Sequence, residues 1–160
     1  MNFWQAVASG FSNYVKFSGR AVRSEYWYWV LFVSMVSVAT VLFDVAIVKH
    51  RHGPLDGPLE SVWHLVTFLP GLAVAIRRLH DIDRSGWWIA LLTIFAAICF
   101  AMLLVSALRS IVLLIIMAFT VVCIFPVLIY WFCQPGTPGP NIYGADPFGP
   151  EGHISQRPAI

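Results

Sequence analysis

Charge is scarce in this chain. Asp, Glu, Lys and Arg make up 11% of its 160 residues, where an average soluble domain carries about 25%. A soluble fold of this size has no interior large enough to hide the 59% that is hydrophobic, so an ordinary water-soluble domain is excluded. A long basic run is also missing, which argues against nucleic acid as a partner. Cysteine is rare. Cys99, Cys123 and Cys133 are odd in number and lack metal-type spacing, so they give no disulfide framework. Each is expected as a small buried apolar residue. The start does not read as a cleavable signal: residues 1–19 hold a single Lys and several aromatics, without a basic segment leading into a short apolar core. No metal and no cofactor are expected.

What the chain has is long apolar runs. Residues 26–48, 61–76, 87–108 and 111–133 hold almost no ionisable side chains. A hydrocarbon layer about 30 Å thick takes roughly 20 helical residues to cross. The expected fold is therefore all-α and polytopic. It has a transmembrane domain over 20–133 with four spanning helices at about 26–48, 59–76, 87–108 and 111–133. Ahead of it, Phe3, Trp4, Val7, Phe11, Tyr14 and Val15 recur at helical spacing, so residues 1–19 read as an amphipathic segment. Two placements stand for it: in the interface with its aromatic face toward the acyl chains, or packed on the end of the bundle. Beyond Cys133 the Pro/Gly-rich stretch 134–160 reads as an irregular cytoplasmic tail.

Details within the runs sharpen this. Tyr26, Trp27, Tyr28 and Trp29 form an aromatic belt at a water–lipid boundary. Asp44 lies roughly 27 Å further along the axis, at the opposite headgroup layer, where a solvated carboxylate is expected. Pro70-Gly71 predicts a kink or break in the second helix. Arg109-Ser110 predicts a tight turn between the third and fourth, because an arginine at a span's centre costs about 2.5–3.5 kcal/mol. Small residues (Gly71, Ala73 and Ala75; Ala96, Ala97 and Ala101) would allow close helix contacts. The basic residues set the orientation. With the N-terminus in the cytoplasm, Lys16, Arg20, Arg23, Arg77, Arg78, Arg84 and Arg157 lie inside and only Lys49, Arg51 and Arg109 outside, which favours both termini inside.

Two polar clusters meet on that inner face. One is Ser18-Gly-Arg-Ala-Val-Arg-Ser-Glu25, and the other is Arg77-Arg-Leu-His-Asp-Ile-Asp-Arg-Ser-Gly-Trp-Trp88. Most members have a structural task available. Glu25 suits the start of a helix and Arg77 and Arg78 the end of one, by the helix dipole. Ser85-Gly86 suits an N-cap with close backbone approach, just before Trp87.

These segments, with Gly136-Thr-Pro-Gly-Pro-Asn and Tyr143-Gly, resemble the small bacterial inner-membrane proteins grouped as domain of unknown function 805. The resemblance covers about 11–149. This chain departs from the pattern at Ile142, where an Arg is usual, and in its long third and fourth helix pair. The resemblance implies a multi-spanning protein of the bacterial inner (cytoplasmic) membrane. It supplies no activity and no catalytic residue.

Chemistry is expected from few places. Arg20, Arg23, Arg77, Arg78 and Arg84 offer planar forks that suit phosphate, so an anionic lipid headgroup is one candidate ligand. Pairing with Glu25, Asp81 and Asp83 in a helix-end network is the other reading. His80 beside Asp81 suggests acid–base work, but spacing identifies no nucleophile to accompany them. His50, His52 and Asp56 sit in a Gly/Pro loop and read as solvated, and His64 reads as an interface marker. Three functional classes follow. The first is a non-enzymatic scaffold or interaction module, with lipids, other membrane proteins or its own copies as partners. The second is a small oligomeric transporter or channel. The third is a headgroup-level lipid-modifying enzyme using His80 and Asp81.

Overall fold

The computed structural model describes residues 1–48, 58–105 and 111–149. Lys49, His50, Arg51, His52, Asp56, Arg109, Ser110 and Arg157 lie outside them. So do the side chains of Cys99 and Cys123. Among the described residues the fold is all-α: α1 Phe3–Ser12, α2 Arg23–Val48, α3 Pro58–Asp81, α4 Trp87–Val105 and α5 Ile111–Cys133. Two segments, Arg23–Ala46 in α2 and Leu59–Asp81 in α3, are long and apolar enough to cross a membrane by length and composition. Large apolar side chains point outward, with Leu65 76% and Phe119 69% exposed. Such a surface suits hydrocarbon and would drive aggregation in water.

α1 begins with a capping box. The Asn2 side chain accepts from the Gln5 amide at 2.9 Å, and the Gln5 side chain accepts from the Asn2 amide at 3.0 Å, so two orphan donors of the first turn are satisfied. The buried residues of α1 are Ala6, Val7 and Gly10. Gly10 lets the helix close on α2, since a Cβ there would lie 3.0 Å or less from the Trp29 ring. Trp4 stays 73% exposed. Phe3 packs edge-on against Tyr28 and Phe32, and Phe11 against Trp29 and Phe32, so part of the aromatic set makes the seat on the bundle together with the small residues.

α2 starts at Arg23, one turn earlier than the apolar run suggests, with Glu25 in its first turn. α3 differs more from expectation. It runs unbroken through Pro70 to Asp81, so Arg77, Arg78, His80 and Asp81 belong to its last turns, beyond the expected end at 76. Proline 70 removes the amide that would serve the carbonyl of Val66, four residues earlier. The Tyr14 hydroxyl donates to that carbonyl at 2.5 Å. A side chain from outside the helix thus meets the acceptor that the proline leaves open.

The end of α3 is a Schellman cap. The Asp83 amide donates to the His80 carbonyl at 3.1 Å and the Arg84 amide to the Leu79 carbonyl at 2.9 Å. Asp83 takes the left-handed position with φ 57°. The chain then turns directly into α4, where the Trp87 amide donates to Ser85 Oγ at 3.3 Å. Gly86 is required here, because a Cβ would sit 2.6 Å from Ile76 Cγ2. Beneath this corner, Leu79, Ile82 and Phe132 form a buried apolar cluster joined by Tyr26, Trp27, Leu128 and Trp131. It ties one end of α2, α3 and α5 together.

Asp44 corrects another expectation. It is 6% exposed, and its carboxylate accepts from the Glu60 amide at 3.1 Å. The open amides at the start of α3 offer a better partner than the headgroup layer. Cys133 is exposed and not buried, because α5 ends there. The small-residue expectation divides. Ala73 is buried and Gly71 lies under Trp29, whereas Ala97 and Ala101 face outward.

Candidate functional site

The chain's densest polar network lies where α2 begins and α3 ends. Asp81 is its centre. Arg20 Nε donates to Oδ1 at 2.9 Å, and Arg78 Nη1 donates to Oδ2 at 2.5 Å. The Arg20, Arg78 and Asp81 side chains are almost sealed, at 1%, 0% and 2% exposure. A buried charge is tolerated only when paired and hydrogen-bonded. Here each guanidinium nitrogen has a partner. Arg78 Nε and Nη2 reach the Phe132 carbonyl at 3.3 and 3.2 Å, and Nη2 also donates to the Gln134 carbonyl. Arg20 Nη1 and Nη2 donate to the carbonyls of Gly139 and Thr137, each at 2.6 Å.

The segment after α5 is therefore irregular in backbone but fixed in place. The Thr137 amide donates to the Asp81 carbonyl at 2.8 Å, and Asn141 Nδ2 to the His80 carbonyl at 2.8 Å. Residues 139–146 close on themselves through an Asn141–Gly144 bridge and a bond from the Gly139 amide to Asp146 Oδ2 at 2.9 Å. Gly136 admits this approach. A Cβ there would lie 2.8 Å from Asp81 Cγ and 2.9 Å from Oδ1.

A second pair lies alongside. Arg77 Nη1 donates to Glu25 Oε1 at 2.9 Å, with both side chains 6% exposed. Ser9 Oγ donates to the same oxygen at 2.9 Å, so α1, α2 and α3 share one carboxylate. Arg77 Nε and Nη2 are buried without a hydrogen-bond partner. The Ala21 amide donates to the Arg77 carbonyl at 3.0 Å, which seats the first polar segment on the second.

The remaining expected residues sit at the edge. Arg23 and Asp83 are exposed. Arg84 places its guanidinium 4.9 Å over the Trp131 ring, a cation–π geometry. Trp87 is 70% exposed. The structure thus gathers Arg20, Arg78 and Asp81 in one network and Arg77 with Glu25 in another. Arg84 and Trp87 stand at the rim of the site.

His80 and Asp81 are parted, which corrects their reading as an acid–base pair. Neighbours on a helix do not face each other. His80 Nδ1 lies 3.2 Å from the Gly19 carbonyl, and its ring stacks on Tyr143 with centroids 3.9 Å apart and planes 4° from parallel. At the opposite end of α2 and α3, Glu60 accepts from Thr40 Oγ1 and meets His64 Nε2 at 2.7 Å. His64 is thereby in contact with a carboxylate as well as exposed. Among the described residues no group of His, Cys, Asp and Glu is arranged to hold a metal.

The tail's contribution is what residue types alone did not reveal. Its Gly-Thr-Pro-Gly-Pro-Asn run signals tight turns but does not say where they dock. Comparison with known proteins identifies the pattern as a whole. A family model described as Protein of unknown function (DUF805) matches residues 14–145. The chain belongs to that family. The matched range holds all of the network except Ser9 and Asp146. The inner membrane protein YhaI of Escherichia coli (strain K12) is 39% identical over 89% of this chain and 95% of its own length. The inner membrane protein YhaH of the same strain is 38% identical over 84% and 89%. No solved structure matches the chain.

Proposed function

We propose that this protein is a non-enzymatic scaffold of the inner membrane, spanning it four times through α2–α5 with both termini in the cytoplasm. α4 and α5 have 19 and 23 residues, about 28 and 35 Å at the helical rise, which suits the hydrocarbon thickness. The relatives' names support the compartment. The role rests on one observation: two buried guanidiniums share Asp81 and turn their other nitrogens to carbonyls between Phe132 and Gly139. Groups committed in this way hold a surface rigid and have little capacity left for bond-making. The arginine rim is then a pre-assembled platform for another membrane protein or a second copy. Anionic headgroups meet it at Arg84, an exposed cation.

A photocrosslinker at Ile142, which is 83% exposed, tests the platform in intact membranes. Discrete protein adducts that vanish in Arg20→Ala support it. Lipid adducts alone from the folded protein refute it. In a Cys133→Ser background, a thiol introduced at Ser18 or Asp83 should label only from the cytoplasmic side.

A second reading draws on Asp44, Glu60 and Thr40, which are buried together near the far end of α2. Buried ionisable groups in spans often mark ion paths, so a small oligomeric transporter remains the rival. Cation or proton uptake by vesicles that is lost in Glu60→Gln would favour it, and absence of uptake would remove it.

A further inference from the structure

A cavity of about 570 Å³ opens beside the network, walled by Phe17, Ile76 and Ala90 and carrying His80, Ser85 and Tyr143. Its volume is in the roughly 300–1,000 Å³ range of small-ligand sites. The lining is graded. Ile76 lies about one turn from His80 toward the middle of α3, and Ala90 is about one turn inside α4, so the apolar wall faces the hydrocarbon. The three polar side chains stand at the rim end, where Trp87 marks the mouth.

The polar groups are all capable of more bonding. The Gly19 carbonyl only accepts, so His80 carries its proton on Nδ1 and leaves Nε2 as a lone-pair acceptor. Among the described residues Nε2 has no hydrogen-bond partner. Ser85 Oγ accepts from the Trp87 amide, which leaves its O–H to donate. The Tyr143 ring is fixed by stacking on His80, while its hydroxyl bonds nothing among the described residues. Among the described residues no side chain in the lining is a carboxylate, ammonium or guanidinium. A phosphate or ammonium head would lose hydration with no ionic return. Hydroxyls and esters, in contrast, find an acceptor and two donors at matching scale.

We infer that this cavity is a binding site for an uncharged, hydroxyl-headed lipid of the diacylglycerol type, with the head at His80, Ser85 and Tyr143 and the chains along Ile76 and Ala90. The site is distinct from the ion-pair network and does not depend on the scaffold reading. It also differs from an anionic-headgroup site, which would need the arginines.

The full chain in detergent is incubated with dioleoylglycerol, dioleoylphosphatidylglycerol and dioleoylphosphatidylethanolamine at equal mole fraction and read by native mass spectrometry. Dioleoylglycerol should be retained in excess over both phospholipids, and free glycerol should not displace it. Ala90→Phe, which fills the wall, should reduce retention to background. Tyr143→Phe keeps the stacked ring and should weaken binding about fivefold, the effect of one hydrogen bond. Circular dichroism establishes folding. If Ala90→Phe does not fold, Tyr143→Phe and Ser85→Ala decide the question. Equal retention of the three lipids, a preference for phosphatidylglycerol, displacement by free glycerol, or unchanged retention in the folded variants would each overturn the assignment.

Discussion

Gly136→Ala is the sharpest test of the network. The new methyl would lie 2.8 Å from Asp81 Cγ and 2.9 Å from Oδ1, well inside van der Waals contact. Asp81 has little freedom to yield, because Arg20 and Arg78 hold one oxygen each. The tail has little freedom either, because the Thr137 amide is bonded to the Asp81 carbonyl. Overpacking in a fixed interior costs about 1–3 kcal/mol. Displacing the carboxylate from its two guanidiniums adds to this, up to the roughly 3–5 kcal/mol of a broken buried pair. We expect a loss of about 2–4 kcal/mol, read as the unfolding midpoint of the detergent-solubilised protein, together with faster proteolysis after Gln134. The same substitution in an Asp81→Ala background should cost under about 1 kcal/mol, since the obstructing carboxylate is gone and contacting residues are non-additive. Equal costs in both backgrounds would show that Gly136 does not report on Asp81. An unchanged midpoint and unchanged tail protection would refute the packing argument altogether.

Other positions give independent checks. Tyr14→Phe should destabilise by about 1 kcal/mol, and by less in Pro70→Ala, where the backbone regains the donor for the Val66 carbonyl; unfolding midpoints of the four variants measure the coupling. Glu25→Ala should cost about 3–5 kcal/mol by leaving a buried cation unpaired, and Arg77→Met added to it should recover part of that loss, since Arg77 already has two unpartnered nitrogens. Asp83→Gly should raise stability by about 0.5–1 kcal/mol, because glycine occupies the left-handed cap position freely. Gly10→Ala should lift α1 from Trp29, visible as a shift in tryptophan emission and early cleavage near Ser12.

The amino-acid order by itself determined the solvent and the class. Runs without charge admit only helices whose backbone bonds are internal, so an all-α fold with an apolar exterior follows from composition. It also brought the polar residues to a few short segments, and the four motifs carried the family. Particular contacts were legible where the partner is close in the chain, as with the Ser85 cap or the dipole-matched positions of Glu25 and Arg78. Where the partner is distant, the chain order was silent or misleading. Pro70 reads as a break until the Tyr14 hydroxyl arrives from 56 residues away. Asp44 reads as solvated until the first turn of α3 is set against it. His80 and Asp81 read as a pair until the helix turns them to different neighbours. The arginines read as internal ties or as a clamp for an outside anion, and only the docked tail supplies the carbonyls that occupy Arg20 and Arg78. Local preference and hydropathy are properties of a residue and its near neighbours, whereas the bonding of a buried polar group depends on which distant atoms packing brings within reach.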